Sequence, residues 1–294
     1  MAVQAPAQDT GGGKPEAFRF VQELATELSQ GTVEVPGFPD VAAKVQRALA
    51  DPELKADRLL RIVSVEPVLA ARIMQMANSA ALARPGGPVT ELRTAITRLG
   101  FELLRSAALS YALEQLKRAP ELRNIARPLH LLWQRSVGVA AICHGLARRV
   151  APSMADTALL AGLLHSVGRL YILVRSSRHP TLFSDPGSYQ CIVRDWHAAV
   201  AQALLENWKV PEEIVRAVAE CDDPGRDCRG ALDLTDLLAT ACLIAAHRND
   251  PALLETQLLH TRVAARLALK SGDCEALLRE TDGDLEALRS ALGT

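Results

Sequence analysis

The stretch of this sequence that looks most like chemical machinery is Leu163-Leu164-His165-Ser166-Val167-Gly168, an imidazole beside a hydroxyl in an apolar frame. A single neutral imidazole does not fix a hard divalent cation, and a serine hydroxyl is a weaker ligand for one than a carboxylate. A nucleophilic mechanism would need a cysteine or serine activated by an adjacent base. Cys143 and His144 are neighbours in sequence, but adjacent residues on a helix point away from each other. Cys221 and Cys228 bracket Asp222 and Asp227, a set that could hold a metal. That spacing is not a familiar zinc one, and a mobile loop is the better reading. Arg169, Arg175, Arg178 and His179 form a modest basic cluster after the motif. It reads as a phosphate dock or, preferably, as a solvated loop.

Helices must position these residues. Hydrophobic residues make up 49% of the chain but aromatics only 4%, so Leu, Ala and Val build the core. Ala and Leu lose little side-chain freedom in helices, and strand-preferring aromatics are scarce. No stretch alternates with a two-residue period, so the expected fold class is all-α. The 33 basic and 34 acidic side chains nearly cancel, which argues against direct nucleic-acid binding through phosphates. Six cysteines without a Cys-x-x-Cys pair fit a reducing compartment. No leader pattern and no uninterrupted apolar run of about 18 residues is visible, so a cytoplasmic protein without membrane contact is expected.

Residues 1–14, small and polar, are expected to be disordered. A helix begins near Pro15, carries Val21, Leu24, Ala25 and Leu28 on one face, and stops at Gly31. A second carries Val41, Val45 and Leu49. Asp57 is the expected cap of a third, with Leu59, Leu60 and Val63, and Pro67 opens a fourth with Leu69, Ile73 and Met76. Asn78 should end that helix in a left-handed conformation. After the break at Gly86-Gly87-Pro88, Thr90 caps a helix ended by Gly100, and residues 101–118 continue to Pro120. The second half starts at Pro128 with a stripe of Leu129, Trp133, Val137, Ala140 and His144. Ser153 and Asp156 suggest a capping box for the helix carrying Leu163–Gly168. A loop at 184–188 precedes helices near 189–208, 211–220, 230–248 and 251–270. One or two small helices are expected after Gly272.

A series of short segments carries a family resemblance. Val35-Pro36-Gly37-Phe38-Pro39, Ile62-Val63-Ser64-Val65-Glu66-Pro67, Leu69-Ala70-Ala71-Arg72-Ile73, Ala77-Asn78-Ser79 and Leu99-Gly100 come first. Leu132-Trp133-Gln134-Arg135-Ser136, Ala161 to Arg169, and Trp208-Lys209-Val210-Pro211 follow. In this order and spacing, across roughly 25–245, the chain resembles the HDOD domain, a degenerate relative of the HD phosphohydrolase superfamily. The resemblance implies an N-terminal helical bundle (15–120) packed on a degenerate HD-like bundle (121–249), with 250–294 a C-terminal helical extension. It also implies a bacterial regulatory role, often linked to cyclic-dinucleotide or two-component signalling.

HD hydrolases hold their metal with a His, a His-Asp pair and a distant Asp. The matching positions here are Arg135, His165-Ser166 and the neighbourhood of Cys242, with Cys221 and Asp222 where further histidines often follow. The expectation is therefore no catalytic residue, no metal and no cofactor. A protein partner in a signalling pathway is the first functional reading. The alternative is a regulator binding a nucleotide (a cyclic dinucleotide among them) or another small anion in a former cleft lined by Arg135, His165, Ser166, Arg169 and His197. Arg135 reads equally as a phosphate anchor or as half of a surface ion pair. His165 reads as a cleft residue or, preferably, as a histidine hydrogen-bonded within the core.

Overall fold

A computed structural model of the chain describes residues 13–82, 87–223, 226, 230–261, 266–267 and 273–292. These residues form α1 (Gly13–Gln30), α2 (Asp40–Leu49), α3 (Ala56–Ser64), α4 (Pro67–Ala77), α5 (Leu92–Arg118) and α6 (Ala126–Val150). Beyond them run α7 (Ala155–Leu164), α8 (Val167–Ser176), α9 (Pro186–Asn207), α10 (Glu212–Glu220), α11 (Leu234–His247), α12 (Pro251–His260) and α13 (Asp273–Leu292). No strand occurs among the described residues, as the composition led one to expect. Residues 1–12, Asp227 and Cys228, for which a disordered segment and a metal-or-loop reading were given, lie outside the described residues.

Two helices organise the core. α5 bends at Gly100 (φ +76°), and its second part is buried on nearly every face from Leu103 to Leu113. A helix apolar all round needs neighbours on all sides, and α5 has them: α2, α3 and α4 from the first half, α7 from the second. α6 packs on α7, α11 and α13, with Val137, Ala140, Cys143 and Ala147 wholly buried. α13 also reaches α4 and the turn at Ala80–Leu82, so the C-terminal helix spans both halves, and Arg149 of α6 meets its Glu280 at 2.6 Å. It is one 20-residue helix rather than one or two small ones. α1 lies in the first half by sequence but packs on α9 and the Pro180–Ser184 turn.

Two distant family segments meet directly. Phe38 stacks on Trp208 with ring centroids 4.9 Å apart, and Asn207 donates to the Val33 carbonyl at 3.1 Å. Offset stacking of this kind adds to the area both rings bury, which makes Trp208 a packing residue.

Several expected caps are absent, for geometric reasons. Asp57 sits inside the first turn of α3 and pairs with Arg93, while Lys55 holds the cap position. Glu91 rather than Thr90 precedes α5. Ser153 lies in a 3₁₀ turn, Pro152–Met154, which removes it from the cap of α7. The presumed loop at 184–188 is instead a helix start: Asp185 accepts from the Ser188 amide at 3.2 Å and its hydroxyl at 2.6 Å, with Pro186 in the first turn. Asn78 is not left-handed (φ −105°). Its side chain pairs with both backbone groups of Val89, at 2.9 and 2.8 Å, and so fastens α4 to the approach of α5. The helix expected over 251–270 closes at His260.

Pro152–Ser176 is apolar and long enough by composition to cross a membrane, but 89% of its most apolar window is buried in the fold. It supplies α7, α8 and the centre of the second half. Its interruption at His165-Ser166 creates the candidate site.

Candidate functional site

The motif does not lie on one helix. α7 ends at Leu164, α8 begins at Val167, and His165-Ser166 form the corner between them. Two glycines let this corner sink into the core. A Cβ on Gly162 would lie 2.4 Å from the Ala140 Cα, and one on Gly168 only 1.9 Å from the His197 carbonyl oxygen. Both approaches are closer than any side chain allows. Gly162 thus seats α7 on α6, and Gly168 seats α8 on α9, bringing Arg169 beside His197.

His165 is 7% exposed and its Nδ1 lies 2.7 Å from the Gly162 carbonyl oxygen. A carbonyl only accepts, so Nδ1 carries the proton and Nε2 keeps its lone pair. Burial is the main cause that lowers the imidazole pKa to about 4, partly opposed by the Gly162 bond and reinforced by the charge of Arg135. The ring is therefore neutral at ordinary pH. Ser166 is buried and bonded to Ser136, whose hydroxyl also lies 3.1 Å from the Leu132 carbonyl. If Ser136 donates to that carbonyl, Ser166 must donate to Ser136. Both hydroxyls are thus spent on α6–α8 packing. They border a small apolar cavity of about 10 Å³, walled by Leu109, Leu113, Leu129 and Trp133.

Arg135 is exposed on α6, and no ion pair of it is found among the described residues. Cys242, 8% exposed on α11, exchanges a side-chain hydrogen bond with Cys221 at the end of α10. That contact, with burial, pushes the Cys221 thiol well above its ordinary value.

The metal set of an HD hydrolase does not fit these residues. Only His165 among its positions keeps a metal-ligating side chain; the others hold a guanidinium, a hydroxyl bonded to another hydroxyl, and a thiol where a carboxylate is needed. Among the described residues no group of three or more His, Cys, Asp or Glu side chains is gathered so as to hold a metal.

Next to the corner lies an open cleft of about 550 Å³, lined by Arg169, Tyr189, Gln190, Val193, Arg194, His197 and Asp222. Arg169 donates to Asp222 Oδ2 at 2.6 Å and to His197 Nε2 at 3.4 Å. A nitrogen that accepts from arginine is unprotonated. Consistently, burial first and Arg169 second lower the His197 pKa, against the opposing charge of Asp222. Of the five residues expected in the cleft, Arg169 and His197 line it, exposed Arg135 is not part of its lining, and His165 and Ser166 lie in the core behind it. Sequence reasoning missed Gln190, Val193 and Arg194. The signal was present: with His197 they stand at i, i+3, i+4 and i+7 of α9, one face of a helix.

The basic cluster after the motif is not a solvated loop. Arg175 and Tyr171 of α8 both donate to Glu27, Arg175 lies 3.6 Å from Glu23, and His179 lies 3.3 Å from Glu23 and 3.5 Å from Glu16. These contacts dock α1. Only Arg178 of this group is exposed.

The HDOD domain family model matches residues 35–224. Among solved structures, a Shewanella amazonensis SB2B protein described as a candidate metal-dependent phosphohydrolase is 23% identical, with a TM-score of 0.73 over 95% of this chain and 99% of that one. An HDOD domain protein of unknown function from Geobacter sulfurreducens is 25% identical, with a TM-score of 0.62 over 94% and 97%. An uncharacterized protein of Treponema pallidum is 22% identical over 213 residues, and the match spans 67% of this chain but only 39% of that relative's length. With the family model covering well over half of its length, the chain belongs to the HDOD domain family.

Proposed function

We propose that this chain is a regulatory module that acts by docking a protein partner, without metal-dependent phosphohydrolase activity. The observation that carries the reading is the corner at His165-Ser166, where a hydroxyl engaged with Ser136 stands in place of a metal-binding carboxylate. Hydrolysis of a phosphoester at a metal needs a cation that polarises the phosphoryl group and acidifies the attacking water. A single imidazole with no carboxylate beside it does not hold such a cation. A scaffold retained without its chemistry is useful as a surface. A Marinobacter aquaeolei VT8 protein of the same fold, 20% identical with a TM-score of 0.58, is described as a candidate signal transduction protein, in keeping with such a role.

The experiment is capture of partners by the full chain from its native cell, followed by reconstitution of the pair from purified components. The reconstituted complex should form equally well after exhaustive dialysis against a chelator, and with His165→Ala. A complex that needs an added divalent metal would refute the reading.

A second reading is favoured by the cleft itself. It has the volume of a small-molecule site and is lined by two guanidinium groups, those of Arg169 and Arg194. This set suits an anion such as a nucleotide phosphate. Thermal-shift measurements against nucleotides and cyclic dinucleotides test it; no stabilisation at saturating ligand would count against it.

A further inference from the structure

The Arg169 guanidinium is already occupied. Asp222 stands 42% exposed on the turn that follows α10, yet it reaches across the cleft to Arg169 at 2.6 Å. The same carboxylate oxygen lies 3.7 Å from His197 Nε2, itself within 3.4 Å of Arg169. One carboxylate oxygen thus sits where an anionic ligand would place its own. The Arg169 backbone is fixed, because Gly168 beside it is pressed against the α9 backbone at His197. Asp222 can, because it lies on a turn and has almost half its surface in solvent.

We infer that Asp222 is a built-in competitor for the cleft: an internal anion that occupies Arg169 and must swing away before a phosphoryl group can bind there. The inference rests on the anion-cleft reading given above. The ligand class is a small phosphorylated molecule of nucleotide size, with the phosphoryl group on Arg169 and the remainder along Tyr189 and Gln190 of α9. The closed pair lowers apparent affinity by the fraction of molecules in which the guanidinium is free. A part-exposed pair is weak enough to open readily. The same exchange would couple ligand arrival to movement of the turn at 221–223.

The test is calorimetric titration of the full chain with inorganic phosphate and with adenosine monophosphate. The proteins are wild type, Asp222→Ala, Asp222→Asn, Arg169→Gln and, as a charge control on exposed α10 surface, Glu212→Ala. Circular dichroism melts confirm that each variant is folded. Both Asp222 variants should bind about three- to tenfold more tightly than wild type, following the freed fraction. Glu212→Ala should match wild type, and Arg169→Gln should lose binding. Tighter binding of the nucleotide than of phosphate assigns the ligand class, whereas equal binding reduces it to a free phosphoryl anion. If wild type and both Asp222 variants bind equally, or Glu212→Ala gains as much, the competitor role is wrong while the anion cleft stands. If no variant binds either probe, both fail together, and the protein-docking reading is untouched.

Discussion

Acid should loosen this protein through one identifiable residue. His165 is held neutral at the corner between α7 and α8, with its pKa lowered from 6.5 to about 4 chiefly by burial. Between those values the unfolded chain binds a proton that the native chain refuses, so acid favours unfolding. The contribution is intact above the ordinary value and is lost progressively as pH falls toward about 4. Taking both values, His165 alone costs about 2 kcal/mol of stability on going from near pH 7.5 to near pH 5. His197, lowered in the same direction, adds to the slope. Urea denaturation of wild type and His165→Asn at the two pH values isolates the effect, since asparagine can still donate to the Gly162 carbonyl but does not titrate. The wild type should lose about 2 kcal/mol more than the variant over this interval. Equal losses would show that His165 is not a buried neutral group, and the account of the corner would fall with it.

Other perturbations reach different joints of the fold. Gly168→Ala puts a methyl group into the His197 carbonyl, so α8 and α9 must separate. A loss of about 1–3 kcal/mol in urea denaturation is expected, and an unchanged midpoint would contradict the packing. Glu27→Ala strips Tyr171 and Arg175 of their shared acceptor and should loosen α1, which Glu23 and Glu16 still hold through Arg175 and His179. Faster amide hydrogen exchange across α1, with α5 and α6 unchanged, is the signature, and unaltered exchange in α1 would refute it. The stability loss should be about 1–3 kcal/mol, the usual cost of a partner removed from a part-buried charged group.

How much of this was legible in sequence depended on whether the signal was local. Helical periodicity and scarce aromatics led to the all-α class, and the ordered short motifs led to the family, because both live in neighbouring residues. Pro67 and Gly100 mark boundaries for backbone reasons that no tertiary contact overrides. The caps failed where tertiary partners competed: Asp57 is drawn to Arg93, and Asn78 spends its amide on Val89 instead of adopting a left-handed turn. The break at His165-Ser166 was invisible because apolar residues run through it on both sides, and only the close contacts of Gly162 and Gly168 show why the chain turns there. The basic cluster was misread for the same reason. Its acidic partners lie in α1, nearly 150 residues earlier in the chain, and no spacing rule reports a pairing of that range. Asp222 was read as a loop residue in a candidate metal set and at a former histidine position; its place opposite Arg169 depends on how α8, α9 and α10 meet.

The measurement that bears most directly on the non-catalytic reading is metal content and turnover on one sample. The full chain would be dialysed against excess Mn²⁺, freed of unbound ion, analysed by plasma mass spectrometry, and then assayed with bis(p-nitrophenyl) phosphate. A protein whose HD positions serve packing should retain far less than one equivalent of metal and release no nitrophenol above the buffer rate. Stoichiometric metal, together with hydrolysis that disappears in His165→Ala, would contradict it.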